Sequence, residues 1–553
     1  MSQTELWDDA IAERIIAAQA GRGRPDEPVV CASGISPSGP IHMGNLREVF
    51  TTHLVAEALR RRGRAVVHLH SWDDYDRFRK VPAGVDESFS EYVGRPLCAI
   101  PDPDGQAGSY AEHFIDEFRE ALEVLGIRMT EVRQSQRYPI GIYNAAIRRA
   151  MDERGLVFDT LAGQQTKGRH ERSVQDRRRD YFPFKPYCPV CGRDDTRVTG
   201  YEHETVRYEC RCGDAGEMSL ANGAAISGKL VWKVDWPMRW AHEGVSFEPA
   251  GEDHHAPTGS FTVGRTLVSA LYGAEAPASV VYSFVSMAGV GGKMSGSVGG
   301  APIPATALDV IEPAIVRWLY VRRVPSQSFA IDLTPRGVQR LYDEWDRLAA
   351  QVTAGATPDS AGAAVYHESV ESSAGPVLRT ERPVSFRLLS SVADLTQGDR
   401  PQIARIVSAH LDGDAPDPDT LLAELEPRLS CAIRYATELV PEDQRTRVRS
   451  RLDPDELAQL DDEARRGVML LADGLAADWS LEGLTALIYA VPKQLRGLTP
   501  DAEPDAEIKA AQRTFFKAVY RLLIGAETGP RLPTLLLSIG PERTRQLLAG
   551  DGS

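Results

Sequence analysis

The sequence predicts an α/β fold, a parallel sheet with flanking helices, followed by a mostly helical C-terminal part. Three observations carry this. A strand–loop–helix–strand run lies near the N-terminus, a second apolar strand runs into a Gly-rich segment far downstream, and helical periodicity continues from about residue 310 to the end.

In order along the chain, residues 5–24 have helical spacing, with Leu6, Trp7, Ile11, Ile15 and Ile16 on one face, until Pro25 and Pro28 interrupt it. Val29 to Ala32 reads as a short apolar strand entering the turn-rich loop Ser33 to Pro40. Ile41 to Arg62 is helical and Ala65 to Leu69 is a second strand, which completes a βαβ unit. Residues 107–129 and 140–153 have helical patterns. Leu230 to Trp236 and Val280 to Phe284 read as strands, and the second ends at the Gly-rich stretch 289–300. The Gly/Ala/Ser/Pro-rich patch 353–376 reads as a flexible insertion or linker.

Composition narrows the class. At roughly 150 residues per domain, 553 residues make about three or four domains. Hydrophobic residues are 42% and charged residues 25%, as in soluble globular chains. No apolar run approaches the ~20 residues of a membrane-spanning helix, so no membrane partner is expected. The formal net charge of −15 argues against a wholesale basic coat for nucleic acid, and no DNA partner is expected, though local patches remain possible. One such stretch, Lys167 to Asp180, carries Arg169, Arg172, Arg177, Arg178 and Arg179; it reads equally as a solvated helix face or a phosphate-contacting surface. Seven cysteines are present, and four fall between positions 188 and 212. Without an export signal that clustering indicates metal ligation rather than disulfides, and a cytoplasmic location.

Two motifs carry chemistry. Pro37-Ser38-Gly39-Pro40-Ile41-His42-Met43-Gly44-Asn45 follows a strand and opens a helix, where unpaired N–H groups attract phosphate. His42 and Asn45, three apart in the expected first turn, form a polar pair aimed at that phosphate. Gly44 leaves room for a base or ribose. Gly291-Gly292-Lys293-Met294-Ser295-Gly296-Ser297 also follows a strand and places one lysine in a pliable loop; it lacks the spacing of a P-loop. The cysteines read Cys188-x2-Cys191 and Cys210-x-Cys212, four thiolates at two corners, suited to a closed structural Zn²⁺ site.

The pairing of the two loops resembles the paired signature of class I aminoacyl-tRNA synthetases, and within them the class I lysyl-tRNA synthetases. Trp72-Asp73-Asp74-Tyr75-Asp76-Arg77-Phe78-Arg79-Lys80-Val81-Pro82, Val234 to Trp240, Phe247 to Gly251 and Gly529-Pro530-Arg531-Leu532 carry the same likeness. The resemblance implies a Rossmann-type catalytic domain over 1–310, a zinc-ribbon-like insertion over 155–230, and an all-α anticodon-binding region over 311–553. It implies activation of lysine by ATP with Mg²⁺ to lysyl-adenylate, then transfer to tRNA(Lys). It assigns His42, Asn45 and Lys293 to catalysis. Pro37, Gly39, His42, Gly44, Asn45, Lys293, Met294, Ser295 and Ser297 would hold ATP. Gly34, Ser36, Trp232, His254 and Tyr282 would hold lysine.

The chain departs from that family at three places. Ser283 stands where relatives usually have Glu, Val298-Gly299-Gly300 where they often have Lys-Gly-Asn, and His254 precedes a second histidine, His255. Two other readings therefore stay open at this point. One is a paralogue that activates lysine or an analogue for a non-tRNA acceptor or a resistance role; the other is a non-catalytic tRNA-binding protein.

Overall fold

The computed structural model describes residues 6–163, 173–288, 301–355, 360–411, 413 and 415–550. The chain divides into two compact units. One comprises Met1–Leu308, Pro313–Leu333 and Leu348–Leu378; the other comprises Asp309–Glu312, Thr334–Arg347 and Arg379–Ser553. Among the described residues, no helix is long and apolar enough to cross a membrane.

The first unit opens with helix α1 (Trp7–Gly21), whose Ile11, Ala12 and Ile15 are buried. It packs on a parallel sheet of β1 (Val29–Ile35), β2 (Val66–Trp72) and β3 (Thr130–Arg133), in the order β1-β2-β3. Helices α2 (Leu46–Arg61) and α3 (Tyr110–Val124) are the crossovers. On the other side of β1, Ala32 N–H donates to Phe247 O at 2.8 Å, and Ala278 N–H donates to Ser246 O at 2.9 Å. The parallel ladder thus continues through residues 246–248 to residue 278. β1 lies in the middle: its connection leads through α2 to β2 on one side, and the segment on its other side, 246–248, arrives from far downstream. The carboxyl end of such a strand is the switch point where open α/β sheets bind ligands.

Between the βαβ unit and the far sheet edge lie β4 (Phe184–Pro186), β5 (Thr196–Glu202), β6 (Thr205–Cys210), β7 (Ala215–Ser219) and β8 (Gly228–Leu230). β5, β6 and β7 form a small antiparallel sheet, and β4 pairs with β8. Then come β9 (Ala250–Gly251) and β10 (Val281–Tyr282), a parallel pair, and β11 (Val285–Met287) with β12 (Phe329–Ile331).

Three elements differ from the sequence expectation. Leu230 to Trp236 is not a strand: β8 ends at Leu230 and Trp232–Glu243 is a helix. Its 3.6-residue period lay in Trp232, Trp236 and Trp240, whose rings follow one another at 5.0 and 5.1 Å along one face. Within Val280 to Phe284 only Val281–Tyr282 is a strand, and a second short strand, Val285–Met287, follows it; Ser283, between the two, bonds to residues outside the run. The 353–376 patch holds a packed helix, Ala361–Val370, rather than an open linker. Ser360 caps its start, and the buried guanidinium of Arg317 donates to Glu368 O, Ser369 O and Glu371 O, satisfying carbonyls its end would leave open.

The second unit, among its described residues, contains helices and no strands. Its largest apolar cluster joins helices Asp462–Gly474, Leu481–Gln494, Ala506–Ile524, Leu532–Ile539 and Pro541–Ala549 through residues such as Val468, Leu471, Ile488, Val519 and Leu535. A buried ion pair, Arg428 to Glu312 at 2.6 Å, lies elsewhere in the unit. Removing Arg428 would leave the buried Glu312 carboxylate without its cation, a larger loss than the pair's net stabilisation, whereas without Glu312 the guanidinium would keep Asp346 at 2.8 Å.

Candidate functional site

The loop after β1 runs along a cleft of about 420 Å³. Ser36, Gly39, His42 and Asn45 line it from the loop, and Arg79 and Lys80 from residues 76–82. The segment carrying the two cations is anchored by Phe78, which is fully buried and packs on Tyr110 at 5.1 Å. Tyr110 in turn donates its hydroxyl to Ser38 O at 3.1 Å, tying the two walls together. Arg79 and Lys80 are exposed and make no ion pair among the described residues. Pro37 is buried in the loop.

His42 and Asn45 are adjacent, but not in the first helical turn as the spacing suggested. α2 begins at Leu46, and residues 42–45 form a turn ahead of it. Side chains take the N–H groups that would otherwise start the helix, a local competition typical of short polar residues. Gly44 N–H donates to His42 Nδ1 at 3.1 Å, and His42 N–H donates to Asn45 Oδ1 at 3.2 Å. An imidazole that accepts at Nδ1 carries its proton on Nε2. The turn thus fixes His42 as an Nε2–H donor and leaves the amide of Asn45 to donate. Two neutral donors on a rigid turn, beside two cations, are suited to an anionic polyphosphate.

A second constellation lies beside β1. Glu48, on the first turn of α2, accepts from Gly34 N–H at 2.8 Å and from the Tyr282 hydroxyl at 2.7 Å. It therefore joins two expected lysine-pocket residues from β1 and β10. Burial pushes the Glu48 carboxyl up to about 8, against the lowering by those two hydrogen bonds. The other two aromatic pocket residues meet through Trp236: Trp232 stacks on it at 5.0 Å, and His254 meets its ring edge-on at 5.3 Å. Glu248, buried, accepts from Trp240 at 2.5 Å and is pushed up to about 7 by burial. The region is an aromatic wall over buried carboxyls, chemistry suited to an alkyl chain with an ammonium tip.

Trp232 is held by charges that sequence inspection did not single out. Arg239 lies over its ring at 5.2 Å and bonds to Asp73 at 2.7 Å and Asp235 at 3.1 Å. Lys229 bridges Asp76 at 2.5 Å and Asp235 at 3.4 Å. Burial disfavours the charge on Asp235, but Arg239 and Lys229 hold its carboxyl below the ordinary range. The Asp235/Arg239 spacing of four on a helix was the available signal; the strand assignment hid it. At the departure from the family pattern, the Ser283 hydroxyl bonds to the Glu252 carboxylate and lies 2.7 Å from Ser326 O. A carboxylate is thus present beside position 283, contributed by residue 252.

The four cysteine sulfurs all lie within 4.8 Å of one another. Cys188 Sγ is 3.7 Å from Cys212 Sγ, and Cys191 Sγ is 3.7 Å from Cys210 Sγ. A tetrahedral zinc with Zn–S of ~2.3 Å has sulfur–sulfur edges of ~3.8 Å, so the donor set fits. The one-residue spacing of the second pair is accommodated by Gly213, at φ +97°, which turns the chain back so that Gly213 N–H donates to Cys210 O at 3.0 Å. The basic stretch at 173–180 is largely paired within the protein. Arg178 bonds to Asp159 at 2.8 Å, Arg179 to Asp180 at 2.9 Å, and Arg177 lies over Phe158. Lys293, Met294, Ser295 and Ser297 lie outside the described residues, as do Val298, Lys167, Arg169 and Arg172.

Comparison with known proteins adds the lineage. A family model described as tRNA synthetases class I (K) matches residues 5–372. A lysine–tRNA ligase of Streptomyces coelicolor is 44% identical, the alignment covering 99% of this chain and 98% of that protein. A lysine–tRNA ligase of Pyrococcus horikoshii is 35% identical, covering 96% and 97%. A solved glutamate tRNA ligase from Elizabethkingia meningosepticum, in complex with its amino acid, aligns with a TM-score of 0.43 at 14% identity, over 94% of this chain and 98% of that one.

Proposed function

This chain belongs to the class I (K) tRNA synthetases, and we propose that its reaction is the ATP-dependent ligation of lysine to tRNA(Lys). The observation that carries this at the level of the site is the His42–Asn45 turn. It holds two donors at the carboxyl end of β1, next to a cleft edged with cations.

In this reading the lysine carboxylate attacks the α-phosphorus of ATP. A carbon-bound oxygen joins phosphorus, the bond to the bridging oxygen breaks, and pyrophosphate leaves with that electron pair. The terminal ribose hydroxyl of tRNA then attacks the adenylate carbonyl, and AMP departs. Such chemistry needs positioning and charge neutralisation rather than a protein nucleophile. His42 Nε2–H and the Asn45 amide donate to phosphate oxygens as charge builds there. Pro37, Gly39 and Gly44 shape the loop around the nucleotide. Lys293 neutralises the departing pyrophosphate, its sequence neighbours Met294, Ser295 and Ser297 help to hold ATP, and Mg²⁺ arrives with ATP. Gly34, Ser36, Trp232, His254 and Tyr282 surround the lysine, and Glu48 is its counter-charge. The helical unit reads the anticodon, and the β5–β7 sheet with its cysteines is a zinc-ribbon-like insertion in the catalytic unit. A reduced thiol cluster of this kind supports a cytoplasmic location for the reaction.

The decisive experiment is charging of tRNA(Lys) transcript, and pyrophosphate exchange into ATP, across the twenty amino acids, each with and without tRNA. Lysine alone should support both. Charging with a different amino acid, adenylate formation without charging, or tRNA binding without ATP turnover would each overturn the assignment.

The metal makes its own prediction. The protein purified without chelator should carry one equivalent of zinc by elemental analysis. Cys191→Ser should lose it and lower the melting temperature, because the four-thiolate set closes the insertion that the small sheet cannot stabilise alone. Retention of stoichiometric zinc by Cys191→Ser would exclude these ligands.

A further inference from the structure

The run Trp72 to Pro82 forms one wall of the cleft beside His42 and Asn45, and the reaction as described gives its last residues no task. The fold engages every earlier charge of the run with a fixed partner. Asp73 bonds to Arg239 at 2.7 Å, and its N–H donates to Ile35 O at 2.9 Å, which ties the end of β2 to the end of β1. Asp74 accepts from Ser135 N–H at 2.8 Å. Asp76 takes Lys229 at 2.5 Å, and Arg77 takes Asp194 at 3.0 Å.

The backbone of the segment is held as firmly. Phe78 N–H donates to Arg95 O, and Phe78 O accepts from Gly94 N–H, both at 2.8 Å, around a side chain that is fully buried. Pro82, also buried, lies so close to the opposite loop that a Cβ on Gly39 would come within 3.2 Å of its ring. Between the anchors at Phe78 and Pro82, Arg79 and Lys80 stand exposed at the cleft, with no ion pair among the described residues. They are the two cations of the wall that the fold leaves uncompensated.

The rest of the sequence sets the demand for that charge. From Thr266 to Val316 the chain holds a single Lys or Arg, Lys293. Pyrophosphate leaves with several negative charges, and the donors of the turn, His42 and Asn45, are neutral. Fixed cations across the cleft supply what one loop lysine and two neutral donors do not. In a chain of net charge −15, two unpaired cations on a rigid wall also draw an anion to that wall.

We propose that Arg79 and Lys80 are catalytic residues for lysine activation: they hold the β- and γ-phosphates of ATP and take up the charge of the pyrophosphate as it leaves. The carboxylate oxygen bonds to the α-phosphorus, the bond to the bridging oxygen breaks, and its electron pair goes to the pyrophosphate between the two cations. Both act as charged hydrogen-bond donors, and neither gives up a proton. The proposal rests on the ligase reading and adds to it the groups that stabilise the leaving group.

The test uses the full chain with lysine, a tRNA(Lys) transcript and three probes, ATP, inorganic pyrophosphate and AMP, each with Mg²⁺. Arg79→Gln and Lys80→Gln, at exposed positions, should each lower the rate of pyrophosphate exchange measured with tRNA present, about 10- to 100-fold. The double substitution should lower it about 10³-fold. Pyrophosphate and ATP should bind about tenfold or more weakly, while AMP, which lacks the β- and γ-phosphates, keeps its affinity. Arg79→Lys and Lys80→Arg, which retain the charge, should recover most of the loss. Binding of pyrophosphate by Arg79→Gln/Lys80→Gln within twofold of the parent overturns the proposal. An equal loss for AMP overturns it too, because it reports a displaced loop. So does a loss confined to the KM for tRNA, which puts the two cations on the RNA backbone. A parent chain that charges tRNA with lysine beside variants that do so equally well removes Arg79 and Lys80 alone, whereas a parent that forms no lysyl-adenylate overturns the ligase reading and this proposal with it.

Discussion

His42→Ala should lower the rate of lysine activation about 10²–10³-fold, the cost of removing one preorganised donor from a site of developing charge. The donor is preorganised here in a specific sense. Gly44 N–H occupies Nδ1, so the tautomer is set before ATP arrives. The loss should fall on kcat in single-turnover activation, with the KM for ATP changed far less, because the interaction strengthens as charge accumulates. His42→Asn, which keeps a donor but shortens its reach, should recover part of the rate. A fall in ATP affinity with an intact chemical step would make His42 a ground-state binder and remove it from catalysis.

Glu48→Gln should raise the KM for lysine about 10- to 100-fold, as expected when a charge-assisted contact is replaced by a neutral one. The change keeps the size of the side chain, and an amide oxygen still accepts from Gly34 or Tyr282, so the fold is spared. A pH dependence follows from the raised carboxyl. With its titration near 8, much of Glu48 is protonated at neutral pH without substrate. Binding an ammonium favours the ionised form, so lysine binding releases a proton, and the KM for lysine falls as pH rises from about 6 to 8. Below that window the carboxyl is neutral and the attraction is lost. Calorimetry in buffers of different ionisation enthalpy reads the proton directly. Lysine binding without proton release, together with an unchanged KM in Glu48→Gln, would place the ammonium elsewhere.

The strand–loop–helix–strand opening was legible because each element is a local pattern with a local stop, and β1, α2 and β2 lie where the pattern puts them. His42 and Asn45 were legible for the same reason: three residues apart, they meet in any tight turn, although the turn precedes the helix instead of belonging to it. The two cysteine pairs were legible from their spacing, and the fold, with β5 paired to β6 at Thr196 and Cys210, brings the four sulfurs within 4.8 Å of one another. The Trp232 helix was misread because tryptophan, valine and a short apolar run favour a strand locally, while the burial of one face at every fourth residue decides for a helix. The 353–376 patch was misread because small residues say nothing of a distant arginine that closes a helix end.

By itself the sequence determined the family, the His42–Asn45 turn and the two cysteine pairs, each carried by short motifs whose members lie a few residues apart. Only the tertiary structure decided that Glu48 joins Gly34 to Tyr282, that Arg239 and Lys229 hold the aspartates behind Trp232, and that His42, Asn45, Arg79 and Lys80 share one cleft. These partners are brought together by sheet order and helix packing. A carboxylate in the sequence shows its charge, but what it bonds to, and so how readily it ionises, depends on which distant groups the fold closes around it.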